Sequence, residues 1–301
     1  MWQIAICHST RRNMMTRGET PVGQLRRLRA VLKQEREQLG LTQRDVADAL
    51  DWSSSKLIRI EKGVVGISIT DLKALLLHYR ITDADRVEAL VELARAGKKP
   101  AWWQAYRDIY GQQFLNFLGL EASAVEVKQF QGRVIPGLLQ TQEYTTALMS
   151  QYHAEPERVE RGTAVRMRRQ ELIAPDGPEM VFIMDEAVLR RTMGSVEVMR
   201  GQLLRLKEVA ALSNIDVRVV PFSAGPHKGL ASSFVLFRLS EIENDVVLLL
   251  EIPDQDILVE EFTDQTKDYM RIFDELEGLA LAEDDSVKLI DKILAELGES
   301  S

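Results

Sequence analysis

The spacing of polar and apolar residues over Gly40–Gly63 constrains the fold of this chain more than any other feature. The stretch reads GLTQRDVADALDWSSSKLIRIEKG, and Thr42 is a good amino-terminal cap for a short helix over Gln43–Leu50. The letters DWS indicate a turn, after which Ser53 caps another helix that extends to Lys62. Two short helices joined by so tight a turn are the layout of a helix-turn-helix.

Further helices are predicted on both sides of this stretch. The apolar spacing indicates helices over 21–38, 71–79 and 84–96, with Pro21 in the first turn of the earliest one. The candidate core positions lie close to helical spacing within these helices: Val22, Leu25, Leu28, Leu32, Leu39, Val46, Ala47, Leu50, Leu57, Ile60, Leu72, Leu75, Leu76, Leu90 and Leu93. Residues 21–97 are therefore predicted to form an all-α domain of five helices.

The second helix of the pair has two different faces. Leu57 and Ile60 are three residues apart and should face the core, whereas the opposite face carries hydrogen-bond donors, namely Ser54, Ser55, Lys56 and Arg59. In a helix-turn-helix this second helix enters the major groove of DNA with its amino-terminal side chains toward the base edges. The alternative is a solvated polar surface, which is what most such helix faces are.

The formal net charge of −8, taken alone, argues against binding to DNA. The charge is unevenly divided, however: residues 1–99 carry a net +6 and residues 100–301 a net −14. Charges act over about a Debye length, roughly 8–10 Å at moderate salt, so a basic domain can bind phosphate although it is tethered to an acidic one. The same division raises the hypothesis that the acidic part competes with DNA for the basic part.

The remainder of the chain changes character after the letters GKKP at 97–100, which indicate a domain boundary. Residues 100–175 are predicted to be helical, and residues 178–301 to be α/β with strands over 180–184, 215–222, 232–240, 245–252 and 256–262. Helices are predicted over 196–212, 263–282 and 286–297. The predicted fold is multidomain: an all-α five-helix domain, then a mixed α/β (α+β) domain over 98–301.

Two segments of this second part could hold a ligand or a catalytic group. The aromatic cluster that begins at Trp102 and Trp103 could form a cage, although packing between domains is the usual role of large aromatic side chains. The letters SAGPHKGLASS place His227 and Lys228 in a loop between strands, with no acid or base assigned beside them. No catalytic residue, metal ligand or cofactor site is predicted, because the four histidines are scattered and no phosphate-binding glycine loop occurs.

The first twenty residues and the cysteine content bear on location. Residues 1–20 lack the basic and apolar regions of a signal peptide and are predicted to be a disordered arm. An upstream extension from a start codon placed too early is the alternative interpretation. Arg11, Arg12 and Arg17 leave open a contact of this arm with DNA. The single cysteine, Cys7, fits a reducing compartment, and no apolar run approaches the roughly 20 residues of a membrane span, so a cytoplasmic protein is expected.

Several segments resemble one regulator family. The helix-turn-helix letters resemble the repressor type that includes phage repressors and xenobiotic-response-element (XRE) regulators. The letters WWQAYRDIY, VIPGLLQTQEY, RMRRQELI and VRVVPFSAGPHKGLASSFVLF resemble actinobacterial members that join this motif to a carboxy-terminal DUF5753 domain, often described as antitoxin-like regulators of the Scr1 family. Thr145 departs from the alanine that many relatives have there.

The resemblance implies a function and a set of DNA contacts. It implies a sequence-specific transcriptional regulator, a repressor acting as a dimer on a palindromic operator, whose partner is a small protein encoded by a neighbouring gene or a small molecule. The alternative is an antitoxin whose main act is to bind a toxin, with DNA binding for autoregulation. The implied DNA-binding residues are Gln43, Arg44, Ser53, Ser54, Ser55, Lys56 and Arg59. Gln43 would hold a phosphate, Arg59 would read guanine, and Glu61 would be structural.

Overall fold

The computed structural model of the chain describes residues 20–240, 244–252 and 256–299. Its amino-terminal part consists of α1 (Pro21–Gln38), α2 (Gln43–Ala49), α3 (Ser54–Glu61), α4 (Ile69–His78) and α5 (Ala84–Ala96). A side-chain oxygen caps the start of each of these helices by accepting a hydrogen bond from the backbone N–H three residues later; the caps are Thr20, Thr42, Ser53, Ser68 and Asp83. The predicted all-α architecture of this part is confirmed.

These helices enclose one apolar core, made of the positions that the helical spacing predicts: Leu28, Leu32, Val46, Leu57, Ile60, Leu72, Leu75, Leu76 and Leu90 among others. The prediction is wrong for Leu39, which is 41% exposed. The reason is local geometry: α1 ends at Gln38, and Gly40 has a φ of 67°, so the chain turns away before Leu39 can face inward.

The predicted amino-terminal arm lies outside the described residues, apart from its last member. Thr20 is only 6% exposed and caps α1 through a hydrogen bond from the N–H of Gly23 at 3.1 Å. Thr20 therefore belongs to the folded domain and not to an arm. Arg11, Arg12, Arg17 and Cys7 lie outside the described residues.

The carboxy-terminal part contains both helices and strands. The helices are α6 (Gln112–Glu121), α7 (Gln142–Met149), α8 (Pro156–Arg169), α9 (Glu186–Arg190), α10 (Val196–Ala210), α11 (Asp264–Leu279) and α12 (Glu283–Glu299). The strands are β1 (Glu126–Gln131), β2 (Glu179–Asp185), β3 (Ile215–Val220), β4 (Ser233–Arg238), β5 (Val246–Glu251) and β6 (Ile257–Val259). The predicted α+β class is thereby confirmed.

The six strands form one mixed sheet in the order β3-β2-β1-β4-β5-β6. The strands β1, β2 and β3 are parallel to one another, and the connections between them carry helices. The strands β4, β5 and β6 are antiparallel, with β4 paired to β1 in the register Gln129 opposite Val235. The sheet therefore changes from parallel to antiparallel at β1.

The prediction of helix over 100–175 is wrong at β1, which lies in the middle of the sheet between β2 and β4. Its letters EVKQFQ contain only two large apolar residues, Val127 and Phe130, and both are buried. Because these two residues are three apart, they fit a helix as well as a strand, and they lie on opposite faces of the sheet. Long-range pairing determines this strand.

Each face of the sheet packs in a separate apolar cluster. Val127, Val235 and Leu249 lie on the face that joins Phe117 of α6 and Leu203 of α10. The residues that alternate with them lie on the opposite face, which α11 covers with Phe273 and Leu276. The predicted aromatic segment packs at the first face, with Trp103 buried and Trp102, Tyr106 and Tyr110 against the cluster.

The two parts of the chain meet where α1 packs on α6. The side chain of Val22 lies so close to Gly119 that a Cβ atom at Gly119 would overlap it. Nearby, the hydroxyl of Thr20 is hydrogen-bonded to that of Ser123. On the same helix, Arg26 donates from Nε to a carboxylate oxygen of Asp245 at 3.0 Å. These contacts attach the helical domain to the carboxy-terminal domain by its first helix.

Candidate nucleic-acid interface

The helix α3 is held with one face in the core and the other toward solvent. Leu57 is 0% and Ile60 is 3% exposed, so both are fully enclosed by the neighbouring helices. Burying two such side chains stabilises this orientation by about 1.5–3 kcal/mol each. The opposite face of α3, which carries the predicted DNA contacts, is thereby directed outward.

The turn before α3 is defined by caps and one unusual backbone angle. Thr42 and Asp45 form a reciprocal capping box at the start of α2, and the hydrogen bonds from Thr42 lower the pKa of the Asp45 carboxyl. Asp51 adopts a φ of 55° in the turn, and Ser53 then caps α3 by accepting from the N–H of Lys56 at 3.3 Å. Ser53 is exposed, so its predicted contact with DNA is compatible with this capping role.

Three of the predicted contact residues form an exposed surface on α3. Ser54, Ser55 and Arg59 all remain exposed to solvent when the carboxy-terminal domain is present. Within the described part of the chain, the guanidinium of Arg59 has no hydrogen-bond or ion-pair partner, which leaves its full set of donors for a ligand. These three side chains are at the surface and available to base edges.

Lys56 is engaged within the protein. Its ammonium donates to a carboxylate oxygen of Asp71 on α4 at 2.8 Å and lies 4.0 Å from the centre of the Trp52 ring. The hydrogen bond from Lys56 holds the pKa of Asp71 below its usual range. Lys56 is therefore half-buried, and contact with DNA would require its ammonium to leave Asp71.

Gln43 is linked to a buried ion pair beneath the helix-turn-helix. Its side-chain amide donates to Oε2 of Glu61 at 2.7 Å. Glu61 also accepts two hydrogen bonds from Arg36 of α1, and donating to this carboxylate raises the pKa of the arginine. Glu61 is structural, as the resemblance implies, while Gln43 keeps a second amide hydrogen that can be donated to a phosphate.

The arginines of α2 and α1 differ in availability. Arg44 is 83% exposed and has only a loose pair with Asp48 at 3.7 Å, so it is available to a phosphate. Arg26 is bound to Asp245, and burial lowers the pKa of Arg29, which lies against Gly63. Arg27, which lies between them on α1, is exposed.

The contacts do not favour the hypothesis that the acidic domain competes with DNA for the basic domain. Asp245 and Glu260 of the acidic domain lie 3.0 and 3.9 Å from Arg26, on α1. The outer residues of α3, in contrast, stay exposed in the full chain. Binding of the acidic domain to the basic one therefore leaves the candidate surface open.

A second polar cluster surrounds His227, to which the sequence assigned no partner. Its Nε2 lies 3.0 Å from Oδ2 of Asp185, while the other carboxylate oxygen caps α9 by accepting from the N–H of Ala187. The ring packs edge-on against Phe130. Lys228 points elsewhere, to Glu275 at 2.8 Å. The strand order brings Asp185 and His227 together, which no local pattern could have indicated.

Over the described ranges, no group of three or more metal-ligating acids, histidines or cysteines occurs. Over the same ranges, no helix is both long and apolar enough to span a membrane.

Comparison with known families agrees with this geometry. A family model described as a helix-turn-helix domain matches residues 25–90, and a family model described as a domain of unknown function (DUF5753) matches residues 114–292. Neither a curated protein nor a solved structure matches the chain. The resemblance to XRE-type regulators with DUF5753 is confirmed. The chain thus belongs to the DUF5753 family and carries an amino-terminal helix-turn-helix DNA-binding domain.

Proposed function

We propose that this protein is a sequence-specific transcriptional regulator that reads the major groove with the exposed face of α3 (Ser54–Glu61). The contrast between the two faces of α3 carries the proposal. Leu57 and Ile60 are buried, whereas Ser54, Ser55 and Arg59 are exposed on the side that a helix-turn-helix presents to base edges.

The individual roles follow from side-chain chemistry and availability. Arg59 can pair bidentately with O6 and N7 of guanine, and Ser54 and Ser55 can hydrogen-bond to neighbouring bases. Gln43 and Arg44 stand at the start of α2, where a phosphate is favoured by the helix N–H groups and dipole. Ser53 and Lys56 complete the proposed contact set, and Lys56 contributes once it exchanges Asp71 for DNA.

The proposed regulator acts as a homodimer that represses transcription at a palindromic operator. One small helix-turn-helix buries a limited area on DNA, so two copies on half-sites about one helical turn apart are the usual arrangement. Sedimentation equilibrium of the full chain, with and without operator DNA, tests the dimer. A monomer in both conditions would contradict it.

Selection of duplex DNA from a random pool by the full-length chain tests sequence-specific binding. We expect enrichment of a palindrome with half-sites roughly 10 base pairs apart, and the same sequence in a genome-wide map of bound sites. Reporter expression from that operator should rise when the gene for the regulator is deleted. Enrichment of no sequence above the pool would contradict the proposal.

The carboxy-terminal domain is proposed to receive the regulatory input, from a small protein encoded by a neighbouring gene or from a small molecule. Repeating the genome-wide map after deletion of a small neighbouring gene tests the protein partner. An antitoxin would behave differently: the neighbour would be toxic when expressed alone, and an Arg59→Ala variant of this chain would still neutralise it.

A further inference from the structure

A cavity of about 420 Å³ lies in the carboxy-terminal domain, away from the helix-turn-helix. Its floor is the face of the sheet formed by β1, β4 and β5, and α6 and α8 cover it. Cavities of about 300–1,000 Å³ are typical of small-molecule sites. The size therefore suits a small metabolite.

Polar side chains occupy the floor where apolar ones would be expected. On β1 and β5, Gln129, Gln131 and Glu251 lie on the same sheet face as the apolar residues Val127 and Leu249. Burying polar groups costs free energy unless they are fully hydrogen-bonded. The amide nitrogens of Gln129 and Gln131 both donate to the carboxylate of Glu251, so the capacity that remains on this face is that of acceptors.

The acceptors on the floor have spare capacity. The amide nitrogen of Gln131 donates to Oε2 of Glu251 at 2.5 Å. The carbonyl oxygen of Gln131, a residue only 3% exposed, is buried without a partner in the described part of the chain. Together, Gln131 and Glu251 offer two adjacent acceptors, which suit an ammonium group.

The helix α8, which covers the cavity, supplies a cationic side chain, whereas the floor supplies acceptors. Arg169 is neutralised by Glu121 through two hydrogen bonds of 2.8 and 2.7 Å. Arg166, one helical turn earlier on α8, donates to the amide oxygen of Gln140 at 2.9 Å and has no carboxylate partner among the described residues. Burial and the charge of Arg169 lower the pKa of Arg166 to about 10, so it remains a cation at neutral pH.

We propose that this cavity binds a small zwitterion, a free amino acid or a dipeptide, with its carboxylate on Arg166 and its ammonium on Glu251 and Gln131. A guanidinium pairs bidentately with a carboxylate, which gives the site orientation as well as affinity. Phe114, Phe117 and Leu249 supply an apolar wall for the side chain of the ligand.

The cavity shares a wall with the contact between the two domains. The helix α6 lines the cavity with Phe117 and Glu121 and packs against α1 through Gly119. Occupancy would therefore bear on the helix that fastens the DNA-binding domain. This consequence rests on the proposed function, whereas binding of the zwitterion does not.

Ligand binding to the full-length chain tests the proposal without DNA. Thermal shift followed by calorimetry would use the twenty free amino acids and the dipeptides Gly-Gly and Ala-Ala. The comparison probes are acetate, methylammonium, inorganic phosphate and adenosine monophosphate at equal concentration. We expect saturable one-to-one binding of at least one zwitterion and none of acetate or methylammonium. Binding of no zwitterion, or of phosphate-bearing probes alone, would overturn the proposal.

Substitutions locate the site. Arg166→Gln and Glu251→Gln should each weaken the bound zwitterion at least tenfold. Arg168→Gln is the matched control. Arg168 is on the same helix as Arg166, but it is exposed and lies over the Trp102 ring, outside the cavity. If Arg166→Gln fails to fold, Arg166→Lys keeps the charge but loses the bidentate geometry and should bind with intermediate affinity. Wild-type affinity in the variants that fold would overturn the assignment.

Discussion

Arg36 and Glu61 form a two-point ion pair beneath the helix-turn-helix. The Nε and one terminal nitrogen of Arg36 donate to the two carboxylate oxygens of Glu61 at 2.7 and 3.1 Å. Their side chains are only 10% and 4% exposed. Because Glu61 also accepts from Gln43, one carboxylate connects α1, α2 and α3.

Glu61→Ala should therefore destabilise the helix-turn-helix domain strongly. Removing Glu61 leaves the buried Arg36 charge with only the longer pair to the exposed Glu37 at 3.5 Å, and we expect a loss of about 3 kcal/mol in the free energy of unfolding. Urea denaturation followed by circular dichroism measures this loss. The matched control is Glu92→Ala, which breaks an exposed pair with Arg95 and should change the free energy by less than about 0.5 kcal/mol. Equal effects of the two substitutions would contradict a structural role for Glu61.

Arg59→Ala should reduce specific binding to DNA with little change in fold. The side chain is exposed, and loss of one bidentate base contact costs about 1–3 kcal/mol at the selected operator and relaxes preference at one base pair. Titration of the operator and its single-base variants measures both effects. Arg95→Ala removes the same charge from α5 and serves as the control. If Arg59→Ala binds the operator as the wild type does, α3 does not read bases in the proposed register.

Asp71→Asn should strengthen binding to DNA irrespective of sequence. The substitution releases Lys56 from its 2.8 Å hydrogen bond, so the ammonium becomes available to a phosphate. One added phosphate contact should steepen the dependence of log affinity on log salt by about 0.9. Asp85→Asn, which removes an exposed acid from the same domain, is the control for charge alone. Identical salt slopes for the two variants would show that Lys56 does not reach the backbone.

The sequence predicts the helix-turn-helix well because its determinants are local. The caps Thr42 and Ser53 and the buried pair Leu57 and Ile60 all lie within the segment that they organise. The polar face of α3 follows directly from this spacing. What the sequence could not show is that Lys56 would be drawn to Asp71, since that contact depends on how α4 packs.

The carboxy-terminal cavity could not be predicted from the sequence for the same physical reason. Arg166 appears in the sequence only as part of a basic helical stretch, and Gln131 and Glu251 are 120 residues apart. They meet because β1 and β5 flank the same strand, β4, and both side chains lie on one face of the sheet. Long-range strand order also explains why β1 and the contact of Asp185 with His227 were missed.

Glu251→Gln should stabilise the protein at neutral pH. Burial raises the pKa of Glu251 in the folded state above its ordinary value of 4.5. Between the unfolded and folded pKa values the folded state binds more protons, so the free energy of unfolding falls as the pH rises through that window. The variant lacks this titration, and its gain in Tm over the wild type should be present at pH 7 and disappear below pH of about 4.5.

Thermal unfolding at a series of pH values measures this gain. The control is Glu179→Gln, at an exposed position of β2, which should have the Tm of the wild type at every pH. The same Glu251→Gln variant is expected to lose the zwitterion, so a stabilised but ligand-deficient protein would indicate that this acid is retained for binding and not for folding. A Glu251→Gln protein that is less stable than the wild type at pH 7 would contradict the argument.

Gly119→Ala should loosen the attachment of the two domains. A Cβ atom at this position would overlap the side chain of Val22, and the helices α6 and α1 would have to move apart. We expect the Tm of the helix-turn-helix domain to separate from that of the carboxy-terminal domain in calorimetry, since packing at this contact couples them.

Combining Gly119→Ala with Val22→Ala removes the overlapping methyl groups and should restore part of the coupling. Gly278→Ala, in α11 with nothing within 4 Å of the added Cβ, is the control. A single transition in Gly119→Ala, unchanged from the wild type, would show that the α1–α6 contact does not couple the two domains.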